Sequence, residues 1–110
     1  MRRALVQMDG QLAGTLTQDE QGYTFAYDPA YLLVATAQPI SLTLPLRAQP
    51  YVERVLFPFF DGLIPEGWLL DIAERNWKLN PRDRMGLLLA CCRDCIGAVS
   101  IQPLSPVPAP

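Results

Sequence analysis

A chain of 110 residues with nine basic and eleven acidic side chains, a formal charge of −2 and 50% hydrophobic residues fits one compact domain that needs no metal or disulfide staple. Its 18% charged residues exclude global disorder, and its mildly acidic total lacks the basic footprint of a stand-alone nucleic-acid binder. No apolar run reaches the roughly 18 residues that cross a bilayer, and Met1-Arg2-Arg3 leads into alternating residues rather than a signal segment, so a cytoplasmic protein is expected.

Arg3 to Met8 reads as a first strand that ends at Asp9-Gly10, a strong two-residue hairpin signal, and Leu12, Gly14 and Leu16 alternate in the strand that follows. Gln18 to Gly22 is a polar turn. Tyr23-Thr24-Phe25-Ala26-Tyr27 alternates aromatic with small residues at the period of a half-buried strand, and Asp28-Pro29 stops it. Asp28 can cap a short helix over residues 29–34 with Pro29 at its first position. Pro39 to Leu46 alternates again and reads as an edge strand bounded by proline.

The period then changes. Val52, Val55, Leu56 and Phe59 stand at helical spacing, although Pro58 must break, kink or restart such a helix. Gly62 and Pro65 mark a turn. From Glu66 to Lys78 the positions Leu69, Leu70, Ile72, Ala73 and Trp77 form one apolar stripe, with acids early and Arg75 and Lys78 late, as the helix dipole favours. Asn80-Pro81 starts another helix whose Met85, Leu87, Leu88 and Leu89 supply core, and residues 98–101 give a last strand. The expected fold is α+β: a small, mainly antiparallel sheet from residues 3–46 and 98–101 with a helical second half packed on it. Residues 1–103 form the domain and 104–110 a proline-rich tail.

Charge is placed unevenly, with nine acids and four bases in residues 1–74 and two acids and five bases in 75–110. The basic segment reads as a solvated helical face or as an edge that meets an acidic partner. Cys92 and Cys95 have the spacing of a zinc half-site or a thiol motif, and Cys91 adjoins them. Three cysteines without a histidine leave a four-ligand site incomplete, and a thioredoxin-like pair belongs at a helix start rather than a helix end. Small thiols in a reducing compartment are the simpler reading, so no metal and no cofactor are expected. With no histidine, no phosphate-binding glycine loop and no nucleophile elbow, no catalysis is expected either.

Trp68 stands apart from these. At 100° per residue the stripe of Leu69, Leu70, Ala73 and Trp77 is centred more than a quarter turn away, so the Trp68 indole points off the core-facing side. It is either covered by a neighbouring loop or sheet, or it anchors a partner.

Three segments, Pro39-Ile40-Ser41-Leu42-Thr43-Leu44-Pro45-Leu46, then Phe59 to Gly67, then Arg93-Asp94-Cys95-Ile96-Gly97-Ala98-Val99, resemble in order and spacing the N-terminal subdomain of HipA-type toxin kinases. Departures are Gly62 in place of an asparagine, Ile64 for a leucine and Cys92 where a glycine commonly stands. The resemblance runs from about Arg3 to Pro103 and leaves no room for the kinase core. It therefore implies a HipS-type component of a three-gene HipBST toxin-antitoxin system, in which a shortened kinase, HipT, is the toxin and HipB binds DNA. By that resemblance the chain would be a non-enzymatic antitoxin that binds and inhibits the kinase, in a ternary complex with a HipB-like protein, with no direct contact to nucleic acid or membrane. The alternatives are a small cysteine-based redox or metal protein and a non-inhibitory scaffold of the kinase–HipB complex. Phe60, Asp61, Pro65, Glu66 and Trp68 are the expected partner-binding residues, because Gly62, Pro65 and Gly67 shape the backbone and limit the entropy lost on binding.

Overall fold

The computed structural model describes residues 2–64, 83–91 and 98–103. Its centre is a five-stranded antiparallel sheet of β1 (Arg2–Met8), β2 (Gln11–Asp19), β3 (Gly22–Tyr27), β4 (Tyr51–Glu53) and β5 (Val99–Pro103), in the order β4-β3-β2-β1-β5. Among the described residues three short helices join it: α1 (Pro29–Leu32), α2 (Pro58–Asp61) and α3 (Arg84–Cys91). The last strand returns to pair with the first, so the two ends of the domain are fastened together inside the sheet.

The first hairpin forms as its turn demands. Asp9 and Gly10 take φ of 51° and 80°, the two left-handed positions whose twist matches the flanking strands. A bulge follows on β2: Val6 faces Gly14 and Gln7 faces Leu12, leaving Ala13 as the extra residue. The bulge shifts the phase of the expected alternation, so Ala13 and Leu16 are fully buried while Leu12 is 37% exposed. It also frees the Ala13 carbonyl to accept from the Asp28 N–H at 2.7 Å, which sets the entry to α1. There the expected cap is present, with the Asp28 carboxylate accepting from the Ala30 N–H at 3.1 Å and Pro29 in the first turn.

Residues 39–46 form no strand, contrary to the expectation from their alternation. Only an isolated Ser41–Leu44 bridge is present, and the strand that pairs with β3 at this edge of the sheet is β4 instead. The physical reason lies in three tyrosine hydroxyls that take the place of a ladder. Tyr27 accepts from the Ile40 N–H at 3.1 Å and donates to the Leu44 carbonyl, Tyr31 accepts from the Gln38 N–H and donates to its carbonyl at 2.6 Å, and Tyr51 donates to the Pro45 carbonyl at 2.6 Å. Burial pushes the Tyr27 phenol above its ordinary pKa, so it keeps the proton that it donates.

The helical spacing of residues 52–59 is likewise corrected. Val52 and Val55 are 72% and 69% exposed, and the helix begins only at Pro58, which starts α2 rather than breaking a longer helix. Of the helix expected after Asn80, the described part is α3, and its cap is Asp83, whose Oδ1 accepts from the Gly86 N–H at 3.1 Å. Asn80 itself, the helix expected over 66–78 and the tail 104–110 lie outside the described residues. The core gathers Ala4, Val6, Leu16, Phe25 and Ile101 from the sheet against Phe57, Phe60, Ile64, Met85, Leu87 and Leu88 from α2, its flanks and α3.

Candidate partner-binding site

The segment that the sequence singles out begins at α2. Pro58 fixes φ at the first helical position, where its missing N–H has no intrahelical partner to lose. The turn then closes through successive backbone bonds from Asp61, Gly62, Leu63 and Ile64 to the carbonyls of Phe57, Pro58, Phe60 and Asp61. Phe60 and Ile64 point inward.

Phe60 has no solvent exposure, and its ring lies 5.5 Å from Phe25, 5.2 Å from Phe59 and 6.0 Å from Phe57 between centroids. Of the residues expected to meet a partner, Phe60 therefore presents no surface of its own. What it does is hold the turn onto the sheet.

Asp61 faces outward and is already engaged. Arg84 Nε donates to its Oδ1 at 2.5 Å, with the two side chains 31% and 42% exposed. Arg84 opens α3, and its neighbour Asp83 makes the opposite pairing: Arg2 of β1 donates Nη1 to Oδ2 at 2.9 Å and Nη2 to Oδ1 at 2.6 Å. Two consecutive residues of opposite charge thus tie the start of α3 to the α2 turn and to the first strand. Hydrogen bonding from Arg2 holds the Asp83 carboxyl below its ordinary range, and the same bonds raise Arg2. The Arg2 side chain is oriented in turn by Gln18, which accepts from Nε at 2.7 Å and donates to the Tyr23 hydroxyl at 3.1 Å.

Asp61 is legible in the sequence as part of the site but Arg84 and Arg2 are not, because pairs separated by 23 and 81 positions leave no local signal. Pro65, Glu66 and Trp68 lie outside the described residues, which include Phe60 and Asp61 of the five. Cys92 and Cys95 also lie outside them. Among the described residues no group of three or more potential metal ligands occurs, and no helix is long and apolar enough to cross a membrane.

The sequence profile of the HipA N-terminal domain matches residues 4–102. The chain belongs to this family. The solved structure described as the N-terminal domain of HipA toxin superposes with a TM-score of 0.77 at 28% identity, covering 96% of this chain and 95% of that one. An uncharacterized protein of Haemophilus influenzae is 33% identical over 102 residues, which is 93% of this chain and 92% of that protein. Two proteins of Sinorhizobium fredii, named "Putative kinase Y4mE" and "Putative kinase Y4dM", are 35% and 34% identical over 86% and 89% of this chain. The chain spans only 23% and 26% of their lengths. The matched domain is therefore a small part of these two larger relatives.

Proposed function

We propose that this HipA N-terminal domain protein is a HipS-like antitoxin that binds a HipT-like serine/threonine kinase directly and inhibits it, without being an enzyme itself. The observation that carries the reading is that one domain matches nearly the whole of the small Haemophilus protein and about a quarter of the two kinase-named proteins. A domain with its own sheet and core is suited to occupy in trans the place that it takes in cis. A HipB-like DNA-binding protein would complete a ternary complex in the cytoplasm, with no contact from this chain to nucleic acid or membrane.

The contact would be made by the segment that leaves α2: Asp61, Pro65, Glu66 and Trp68, with Phe60 bracing the turn from below. Asp61 is shared with Arg84, so its part is to orient the segment and to add charge at the rim, where exposed pairs contribute little affinity.

Co-expression with the HipT-like kinase from the same genome tests this reading. Growth should be rescued by the parent and equally by a variant with Cys91, Cys92 and Cys95 all changed to Ser. Loss of rescue in that variant, with the protein still folded, would favour a cysteine-based activity instead.

A further inference from the structure

Between Asp28 and Glu53 the one charged residue is Arg47, and its guanidinium is turned onto its own surroundings. It lies 3.6 Å over the Tyr51 ring and donates to the carbonyls of Gln49 and Pro50. Within this uncharged stretch the Ser41–Leu44 turn is fixed on both sides. The Tyr27 hydroxyl holds Ile40 and Leu44 from the core, and the Leu44 N–H closes onto the Ser41 carbonyl at 3.1 Å. Above, the Ser41 hydroxyl accepts from the Thr43 N–H at 3.2 Å and bonds its hydroxyl at 3.0 Å. Ile40 and Leu44 sink to 5% and 3% exposure, while Leu42 between them stands 96% exposed.

A single exposed leucine needs no explanation in itself. Here the backbone beneath it is clamped before any partner arrives, so little ordering entropy is lost on docking, and the surrounding sequence has the charge depletion of an interface core. We propose that Leu42, rimmed by Ser41 and Thr43, is a second docking point for the kinase and seats in a charge-poor apolar depression on it. The inference rests on the kinase-binding reading above. The occupant is the kinase rather than a second copy because, in the two kinase-named relatives, about three quarters of the chain lies beyond the matched domain and supplies a large neighbour. A charged surface opposite would lose its hydration against Leu42 without gaining a partner.

Calorimetric titration of the HipT-like kinase from the same genome with the full chain tests the assignment. Leu42→Ala should weaken binding about tenfold and Leu42→Asp about a hundredfold, in line with the burial of one leucine. Both variants should melt like the parent, since the side chain is almost wholly in water. Val55→Asp, a change at another exposed apolar residue that lines a separate surface with Gln21 and Arg54, should bind normally. Parent-like binding by Leu42→Asp overturns the proposal, as does an equal loss with Val55→Asp. So does a dimer of the chain alone that Leu42→Asp disperses, which would assign the turn to self-association. Absence of binding by the parent overturns both this proposal and the kinase-binding reading, so the two failures are told apart.

Discussion

Arg2 and Asp83, 81 positions apart, meet through two parallel hydrogen bonds of 2.9 and 2.6 Å, and the same carboxylate caps α3 through Gly86. The pair joins the first strand to the last described helix at the one point where that helix has free backbone donors. Its geometry is bidentate, the arrangement in which an arginine contributes most to a carboxylate.

Because Arg2 lowers the Asp83 carboxyl in the fold, the unfolded chain binds this proton more tightly than the folded one. The stabilisation is therefore present above the unfolded carboxylate pKa of about 3.9 and is lost as pH falls through the lower folded value. The raised pKa of Arg2 matters only at strongly alkaline pH, beyond any working range. Asp83→Asn keeps an oxygen for the cap and removes the charge. With side chains 38% and 37% exposed, solvent screening limits the expected cost at pH 7 to about 0.5–1 kcal/mol, read as a melting point lower by a few degrees. In urea titrations the gap between variant and parent should narrow as pH falls below the unfolded carboxylate value of about 3.9; a gap that stays constant would mean that the charge is not responsible.

Gly86 carries a prediction of sign. Alanine inside a helix is ordinarily better than glycine by about 1 kcal/mol. Here a Cβ would stand 2.4 Å from Asp83 Oδ2 and 3.2 Å from Arg2 Nη1, so it would displace the capping carboxylate. Gly86→Ala should thus destabilise by about 1–2 kcal/mol in the parent and stabilise in an Asp83→Ala background. A stabilising effect in both backgrounds would show that the pair gives way at no cost.

Tyr27→Phe removes the hydroxyl shared by Ile40 and Leu44 and leaves a buried donor and acceptor without it, at a cost of about 1–3 kcal/mol. The loss should concentrate in residues 38–46, as faster amide exchange and proteolysis there. Tyr51→Phe gives up an exposed bond and should cost much less. Equal effects of the two would argue against Tyr27 as the main clamp.

These contacts also mark what could be read from the sequence. Asp9-Gly10 and Asp28-Pro29 are local chemistry, in which each residue's own preference decides the backbone, and both sites form as read. Residues 39–46 alternate as a strand does, and their inward residues Ile40 and Leu44 are indeed buried, but the hydrogen bonds come from tyrosines of other elements. Leu42, in the same phase, is 96% exposed, so the alternation misplaces one inward residue as well as saying nothing of who satisfies the backbone. Val52 and Val55 fell at helical spacing by coincidence, and both face solvent. At the candidate site, the sequence offers Pro58 as a point where a helix breaks or restarts and a turn at Gly62 and Pro65, whereas the Asp61–Arg84 contact that fixes α2 is purely tertiary.

For the partner contact, the two tryptophans should separate. Trp68→Ala should stay folded, with an unchanged melting temperature, while binding to the HipT-like kinase weakens by about 30-fold to 1000-fold, the range of an interface anchor. Trp77→Ala, on the apolar stripe, should chiefly lower the melting temperature. A Trp68→Ala variant that binds and protects like the parent would remove Trp68 from the contact.

The most direct measurement is phosphoryl transfer by the purified HipT-like kinase, followed by phosphate incorporation, as this chain alone is titrated in without any HipB-like protein. Inhibition predicts that activity falls in proportion to the chain bound and vanishes at saturation. Full kinase activity in a complex that stays intact on gel filtration would contradict it and make the chain a scaffold.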